Sequence, residues 1–255
     1  MPKLDFVCQV SNRELNPPTI PQRSRLYSLE PIGLGTSLVE SLTSYLTRLS
    51  VAHSVSVGIL FYREIASLIY RGNIPENDFL SRPGRIIGGK FIKLARSING
   101  SEGTAKKWVK ALEYLTLRTD LRCLTMLTWT DVVAARHLFR PNKAWCPSCY
   151  EEWYRNDRIV YAPLLWSINA VTACVRHVTL LRERCHHCGR QHSYLTACLV
   201  PGYCPYCKQW LGRSENLVTS IDYKLRGEQL KWQSWVAEHL GRLLASVPYL
   251  VAPPL

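Results

Sequence analysis

Between residues 146 and 207 the chain sets out four ligand pairs, each with two residues between partners: Cys146-Pro-Ser-Cys149, Cys174-Val-Arg-His177, Cys185-His-His-Cys188 and Cys204-Pro-Tyr-Cys207. Two intervening residues let one tight turn present both side chains to a single ion, and a second pair from a distant loop completes a tetrahedron. The first two pairs stand twenty-four residues apart and the last two fifteen. Taken in order they predict one site from Cys146, Cys149, Cys174 and His177, and another from Cys185, Cys188, Cys204 and Cys207. Zinc is the natural occupant of such donor sets, so two Zn2+ ions are expected. The second site has the spacing of a zinc ribbon or treble-clef-like knuckle, and Gly189 and Pro205 suit its turns. His186, His187 and His192 fall inside that module and could compete with a thiolate only if one were displaced. Cys8, Cys123 and Cys198 are left over and read as small buried hydrophobes.

That reading requires a reducing compartment, and the sequence supports one. The start, Met-Pro-Lys-Leu-Asp-Phe-Val-Cys, puts Asp5 where a signal peptide needs an apolar run. The longest charge-free stretch, between Arg158 and Arg176, is seventeen residues with Pro163, Ser167, Asn169, Thr172 and Cys174 in it, short of the ~20 apolar residues of a membrane span. A cytosolic protein without a membrane segment is expected, in which paired cysteines hold metal rather than disulfides. Both sites close with four ligands, whereas a catalytic zinc keeps a position open. Neither a His-x-Glu with Pro-Cys-x-x-Cys nor a His-Glu-x-x-His is present, and Gly88-Gly89-Lys90 lacks the context of a phosphate loop. The ions are therefore expected to be structural and the protein not an enzyme. Asp131, Glu151, Glu152 and Asp157, close in sequence to the first site, are the residues on which a hydrolase reading would rest.

The rest of the chain reads as mainly α with small zinc-ribbon β elements. Residues 1–23, with Pro2, Pro17, Pro18 and Pro21, predict an extended arm carrying Leu4, Phe6, Val7 and Val10. Residues 24–140 predict a helical, helix-turn-helix-like region. Leu38, Leu42, Tyr45, Leu46, Leu49 and Ala52 recur at helical spacing, Ser54 to Ser56 interrupt, and Ile59, Leu60, Ile65, Leu68 and Ile69 resume. After a Gly- and Pro-rich stretch, Thr104 is placed as the cap of a helix with Trp108, Ala111, Leu112 and Leu115 on one face, and a shorter helix is expected through Leu121, Leu124 and Leu127. Residues 141–215 form the double zinc-finger module. Residues 216–255 hold a last helix, with Trp232, Trp235, Val236, Leu240, Leu243 and Leu244, and a tail.

Charge points to a polyanionic partner. Lys and Arg outnumber Asp and Glu 32 to 19, a net +13, and the excess is clustered. Arg82, Arg85, Lys90, Lys93, Arg96, Lys106, Lys107 and Lys110 face only Glu102 in their stretch, and Arg176, Arg182, Arg184, Arg190, Lys208 and Arg213 face only Glu183. Arg82, Arg85, Lys90, Lys93, Lys106, Lys107, Arg182, Arg184 and Arg190 are the residues expected to touch nucleic acid, mainly its phosphates.

Several segments also resemble a known family. Glu40 to Leu49 (ESLTSYLTRL), Trp145 to Tyr150 (WCPSCY), Tyr161 to Trp166 (YAPLLW), Val171 to His177 (VTACVRH) and Arg184 to Gly189 (RCHHCG) are similar, in order and character, to the TniQ/TnsD family of transposition target-selection proteins. The resemblance covers about residues 30–215. It implies a bacterial cytoplasmic adaptor, on the nucleoid when bound to DNA, that marks a target directly or through an RNA-guided CRISPR effector with its guide RNA. It also implies recruitment of the AAA+ regulator TnsC, and a homodimer is a further expected partner state. Longer relatives continue into a C-terminal DNA-reading region that the single helix after residue 216 does not match. The alternative is a stand-alone zinc-ribbon DNA-binding transcription regulator, which shares the basic clusters and the structural metals.

Overall fold

The computed structural model describes residues 23–70, 95–196, 200–212 and 227–250. The expectations placed on the N-terminal arm, on Arg82, Arg85, Lys90 and Lys93, and on Cys8 and Cys198 lie outside the described residues.

Serines start the first two helices. Ser41 is extended (φ −81°, ψ 151°) and its side chain accepts the Ser44 amide, which begins α1, Leu42–Ala52. Leu42, Tyr45, Leu46 and Leu49 are buried, and so are Thr43, Ser44, Thr47 and Ser50. A helix covered nearly all round must satisfy its own hydroxyls: Thr47 donates to the Thr43 carbonyl at 2.9 Å and Ser50 to the Thr47 carbonyl at 2.8 Å. Ser54 adopts φ 54° and ends the run, and Ser56 caps the next by accepting the Ile59 amide. Val57–Leu60, a π-helical turn Phe61–Ile65 and Ala66–Tyr70 continue as one helix, α2. The spacing therefore locates both helices and their turn, and α1 begins four residues later than the apolar pattern starts.

Two other expectations need correcting in detail. The helix placed after Thr104 begins earlier: α3 spans Gly103–Thr116 with Glu102 as its extended N-cap residue, so Thr104 lies inside the first turn. Its buried face holds Trp108, Ala111, Leu112 and Leu115 as the pattern predicts. The following segment forms two 3-10 turns, Leu121–Leu124 and Leu127–Trp129. Thr125 between them is extended, and its hydroxyl donates to the Arg122 carbonyl at 2.8 Å, which breaks the helix. The remaining α elements are α4 (Pro147–Arg155), α5 (Gly227–Ala245) and the short α6 (Val247–Leu250). Among the described residues, β structure is confined to isolated antiparallel bridges such as Trp145 with Arg182 and Tyr203 with Trp210.

Two apolar clusters position the metal ligands. In the larger, Leu42, Leu46, Leu112 and Leu115 of the helical region pack with Leu164, Leu165, Ile168 and Val171 and with Ala237 and Leu244 of α5. Gly241 allows that last contact, because a Cβ there would sit 2.7 Å from the Ser37 side chain. The second cluster is aromatic: Trp145, Tyr150, Trp153, Tyr161 and Trp166 pack around Cys146, Cys149, Cys174, Cys185 and Cys204. Trp153 stacks on Tyr161 at 4.5 Å and on Trp166 at 5.8 Å. Buried polar groups join the clusters. Asn99 accepts the Thr43 amide and donates to Ser167, and Ser41 and Ser44 bond the backbone of Ala162 from opposite sides.

Candidate metal centres

Three of the four ligand pairs are built by one local rule. In each, the first cysteine's amide is bonded by the carbonyl five residues on: Cys174 to Thr179, Cys185 to Arg190, Cys204 to Gln209. Its carbonyl takes the amide of the residue four on, Val178, Gly189 or Lys208. That residue is left-handed each time, with φ 50°, 70° and 62°. An antiparallel bridge closes each turn, Ala173 with Leu180, Arg184 with Gln191 and Tyr203 with Trp210. The knuckle aims two ligand side chains at one point because the chain reverses within it. Glycine takes the left-handed conformation without strain, whereas a β-branched residue does so at a cost. Val178→Gly is thus expected to stabilise the protein by about 1 kcal/mol, net of glycine's greater unfolded entropy. A chemical-denaturation midpoint that moves up at constant slope would bear this out, and a fall would show that Val178 contributes contacts worth more than its strain.

The pair Cys146 and Cys149 is built differently. Cys146 is the extended N-cap residue of α4, Pro147 takes the first helical position and Cys149 lies in the first turn. Proline there has no amide to leave unpaired, and the positive end of the helix favours thiolates. The first centre is thus a helix N-terminus facing a knuckle, and the second is two knuckles facing each other.

The donor atoms converge as the spacing predicts. In each set all four lie within 4.8 Å of one another. In the first, Cys149 Sγ is 3.5 Å from Cys174 Sγ, and His177 Nδ1 lies 3.7, 3.3 and 3.7 Å from the sulfurs of Cys146, Cys149 and Cys174. In the second, Cys185–Cys207 and Cys188–Cys204 are both 3.7 Å apart. A tetrahedron with metal–sulfur bonds of about 2.3 Å has edges of about 3.8 Å, so both sets fit one ion each with little movement. Close packing of the thiols already separates their acidities: hydrogen bonds from Cys149 and Cys174 pull Cys146 down, while Cys149, bonded to Cys146 and buried, is pushed up. An ion takes all of them as thiolates and so releases protons on binding.

Several contacts around the ligands were not legible from spacing. His177 turns Nδ1 inward, leaving Nε2 3.4 Å from the Glu152 carboxylate, which Arg176 also engages at 2.5 Å. Such a partner holds a ligand ring in one orientation and tautomer. Glu151 accepts the Trp210 indole at 2.9 Å and Arg155 at 2.8 Å, and so ties α4 to the last knuckle. Neither carboxylate occupies a ligand position, since each four-donor set is complete without it. His192 is 1% exposed, lies flat on Trp145 at 4.8 Å and places Nε2 3.3 Å from Cys204 Sγ. Burial, with Lys143 nearby, lowers its pKa to about 4, so the ring is neutral and can donate to the thiolate. His186 and His187 pack on each other at 4.1 Å, outside the donor set. Cys123 is buried as expected, its thiol pushed up to about 11 chiefly by burial.

The predicted nucleic-acid residues that are described fall in two places. Lys106 and Lys107 are exposed on the first turns of α3. Arg184 and Arg190 are exposed at the Cys185 knuckle, where Arg184 caps the Gly189 carbonyl and Arg190 lies over the Tyr206 ring at 5.1 Å. Arg182 is half-buried, its backbone paired with Trp145.

With this geometry in view, the comparison with known families is decisive: the TniQ family model matches residues 31–181. The chain belongs to the TniQ family. The match runs from the approach to α1 through the whole first metal centre and stops before Cys185. TniQ membership associates the chain with transposition. No curated protein matches it significantly. Among the described residues no helix of this TniQ protein is long and apolar enough to cross a membrane.

Proposed function

We propose that this TniQ protein is a non-catalytic adaptor in transposition target selection, linking a DNA target, reached directly or through a CRISPR effector with guide RNA, to the AAA+ regulator TnsC. The observation that carries this reading is the family match over residues 31–181. Two structural zinc ions fit the role, because closed four-ligand sites supply rigidity and no open coordination position. DNA contact is through phosphates, from Lys106, Lys107, Arg184 and Arg190 among the described residues, and is insensitive to base sequence and steep in salt. The helix pair α1 and α2, read as helix-turn-helix-like, acts in protein contact rather than base reading: α2 exposes Ile59, Leu68 and Tyr70, and Arg63 is its one basic residue. A homodimer would double these surfaces.

The adaptor and hydrolase readings part on Glu151 and Glu152. In a cell-based transposition assay, deleting the gene should abolish insertion, and the Glu151→Gln/Glu152→Gln variant should restore it to near the parental level. Total loss with the metal content and fold of the variant intact would favour a hydrolase.

A further inference from the structure

The two metal centres meet in one joint, and Trp145 is its middle. Trp145 directly precedes the first ligand, Cys146, and is fully buried. Its ring lies flat on the His192 imidazole, 4.8 Å between centroids and 7° between planes, and its indole N–H donates to the Leu211 carbonyl at 3.2 Å. Its backbone pairs with Arg182, three residues before Cys185. All three partners lie between residues 182 and 211, around the ligands of the second centre. His192 completes the path: its Nε2 is 3.3 Å from Sγ of Cys204, a second-centre ligand, and the residue is buried. A parallel link runs from α4, which carries Cys149, through the Glu151 carboxylate to the Trp210 indole, and Trp210 is bridged to Tyr203 beside Cys204.

These contacts tighten when the thiols become ligands. A metal-bound thiolate has no proton and can only accept, so opposite Cys204 the hydrogen belongs on Nε2 of His192. The imidazole is then held in one tautomer and one plane, and that plane is the face on which Trp145 packs. Trp145 in turn fixes how the chain enters Cys146, the extended N-cap residue of α4. Order imposed at either centre thus reaches side chains that the other centre needs in place, and whichever centre fills second finds part of that ordering done. The effect is reciprocal by thermodynamic linkage.

We infer that the two centres fill cooperatively, with the Trp145–His192 pair as the joint between them and His192 as a positioning residue for Cys204. The second module thereby gains a role. The family match ends at residue 181, and the knuckles beyond it act as a buttress that keeps the matched region's own centre loaded. The coupling concerns metal occupancy and is independent of the adaptor reading.

The test titrates the full, Zn2+-loaded chain with a competing chelator and counts ions per chain by native mass spectrometry. At half-release the one-ion species should stay well below the half share that two equal, independent sites give. Cobalt(II) in place of zinc resolves the centres, because a shell of three thiolates and one imidazole differs in visible absorption from a shell of four thiolates. Cys204→Ser, confined to the second centre, should weaken Co2+ at the first about tenfold while that centre still fills in excess metal. His192→Phe keeps a flat ring for Trp145 and removes the N–H, and should weaken the second centre about tenfold. His192→Gln, which restores a donor, should recover part of that loss, and NMR of the loaded parent should find the His192 proton on Nε2. A first centre with parental affinity in Cys204→Ser would overturn the coupling. Should that variant fail to fold, a one-ion share of half or more in the parent would overturn it instead. Parental second-centre affinity in His192→Phe would remove His192 from the joint.

Discussion

Replacing Cys185 or Cys204 with serine should cost the protein its second ion and unfold the two knuckles that the ion joins. The reason is geometric. The knuckles are short turns closed by single bridges, and among the described residues they add only Cys185, Cys204 and Leu211 to the buried part of the aromatic cluster, with Tyr194 and Leu195 between them packed in the larger one. Closed zinc sites contribute roughly 10–16 kcal/mol of apparent binding energy in small modules, and a three-ligand remnant retains a small part of it. Metal content should fall from two ions per chain to one, and thermal unfolding should show early loss of the 185–211 segment. Excess chelator should reproduce the effect in the parent. Full structure retained in chelator would mean that the apolar packing alone holds these turns.

A second large effect should come from a pair outside both donor sets. Glu40 is 0% exposed, and its carboxylate accepts from Arg48 at 2.9 Å, from Ser44 at 2.9 Å and from the Ile32 amide at 3.3 Å. Burial, opposed first by Arg48, pushes its pKa up to about 7. Arg48→Ala leaves that carboxylate buried without its counter-charge, which should cost about 3–5 kcal/mol near neutral pH. The pH dependence gives the mechanism a signature. A carboxyl whose folded pKa lies above its unfolded value adds stability at low pH that is lost as pH rises through the folded pKa. The deficit of Arg48→Ala relative to the parent should therefore shrink on acidification from pH 8 to pH 5.5, where protonation relieves the buried charge. A deficit independent of pH would assign the loss to the packing of the arginine stem.

The ligands were legible because metal chemistry acts at short range along the chain. Two residues between donors is a property of one turn, and the turn repeats at Cys174, Cys185 and Cys204 with the same hydrogen bonds. Gly189 announced the left-handed step of its knuckle, but Val178 and Lys208 take the same step with side chains that disguise it. The helix carrying Cys149 had its own signal, Pro147 at the first helical position, which the metal spacing overshadowed. Glu152 beside His177 and Glu40 beside Arg48 could not be read from spacing. The first pair meets across a tertiary contact, and the second sits eight residues apart, beyond the three- or four-residue spacing of a helix face. The start of α3 was misplaced because Thr104 is the stronger capping residue by type, yet the backbone turns helical at Gly103 with Glu102 extended before it.

The adaptor reading is tested most directly by co-sedimentation of the metal-loaded chain with the AAA+ regulator assembled on DNA. On the proposed function the chain should pellet with the ATPase–DNA assembly well above its pelleting with DNA alone. A chain that pellets with DNA equally in the presence and absence of the ATPase would contradict the account and favour a DNA-binding protein acting alone.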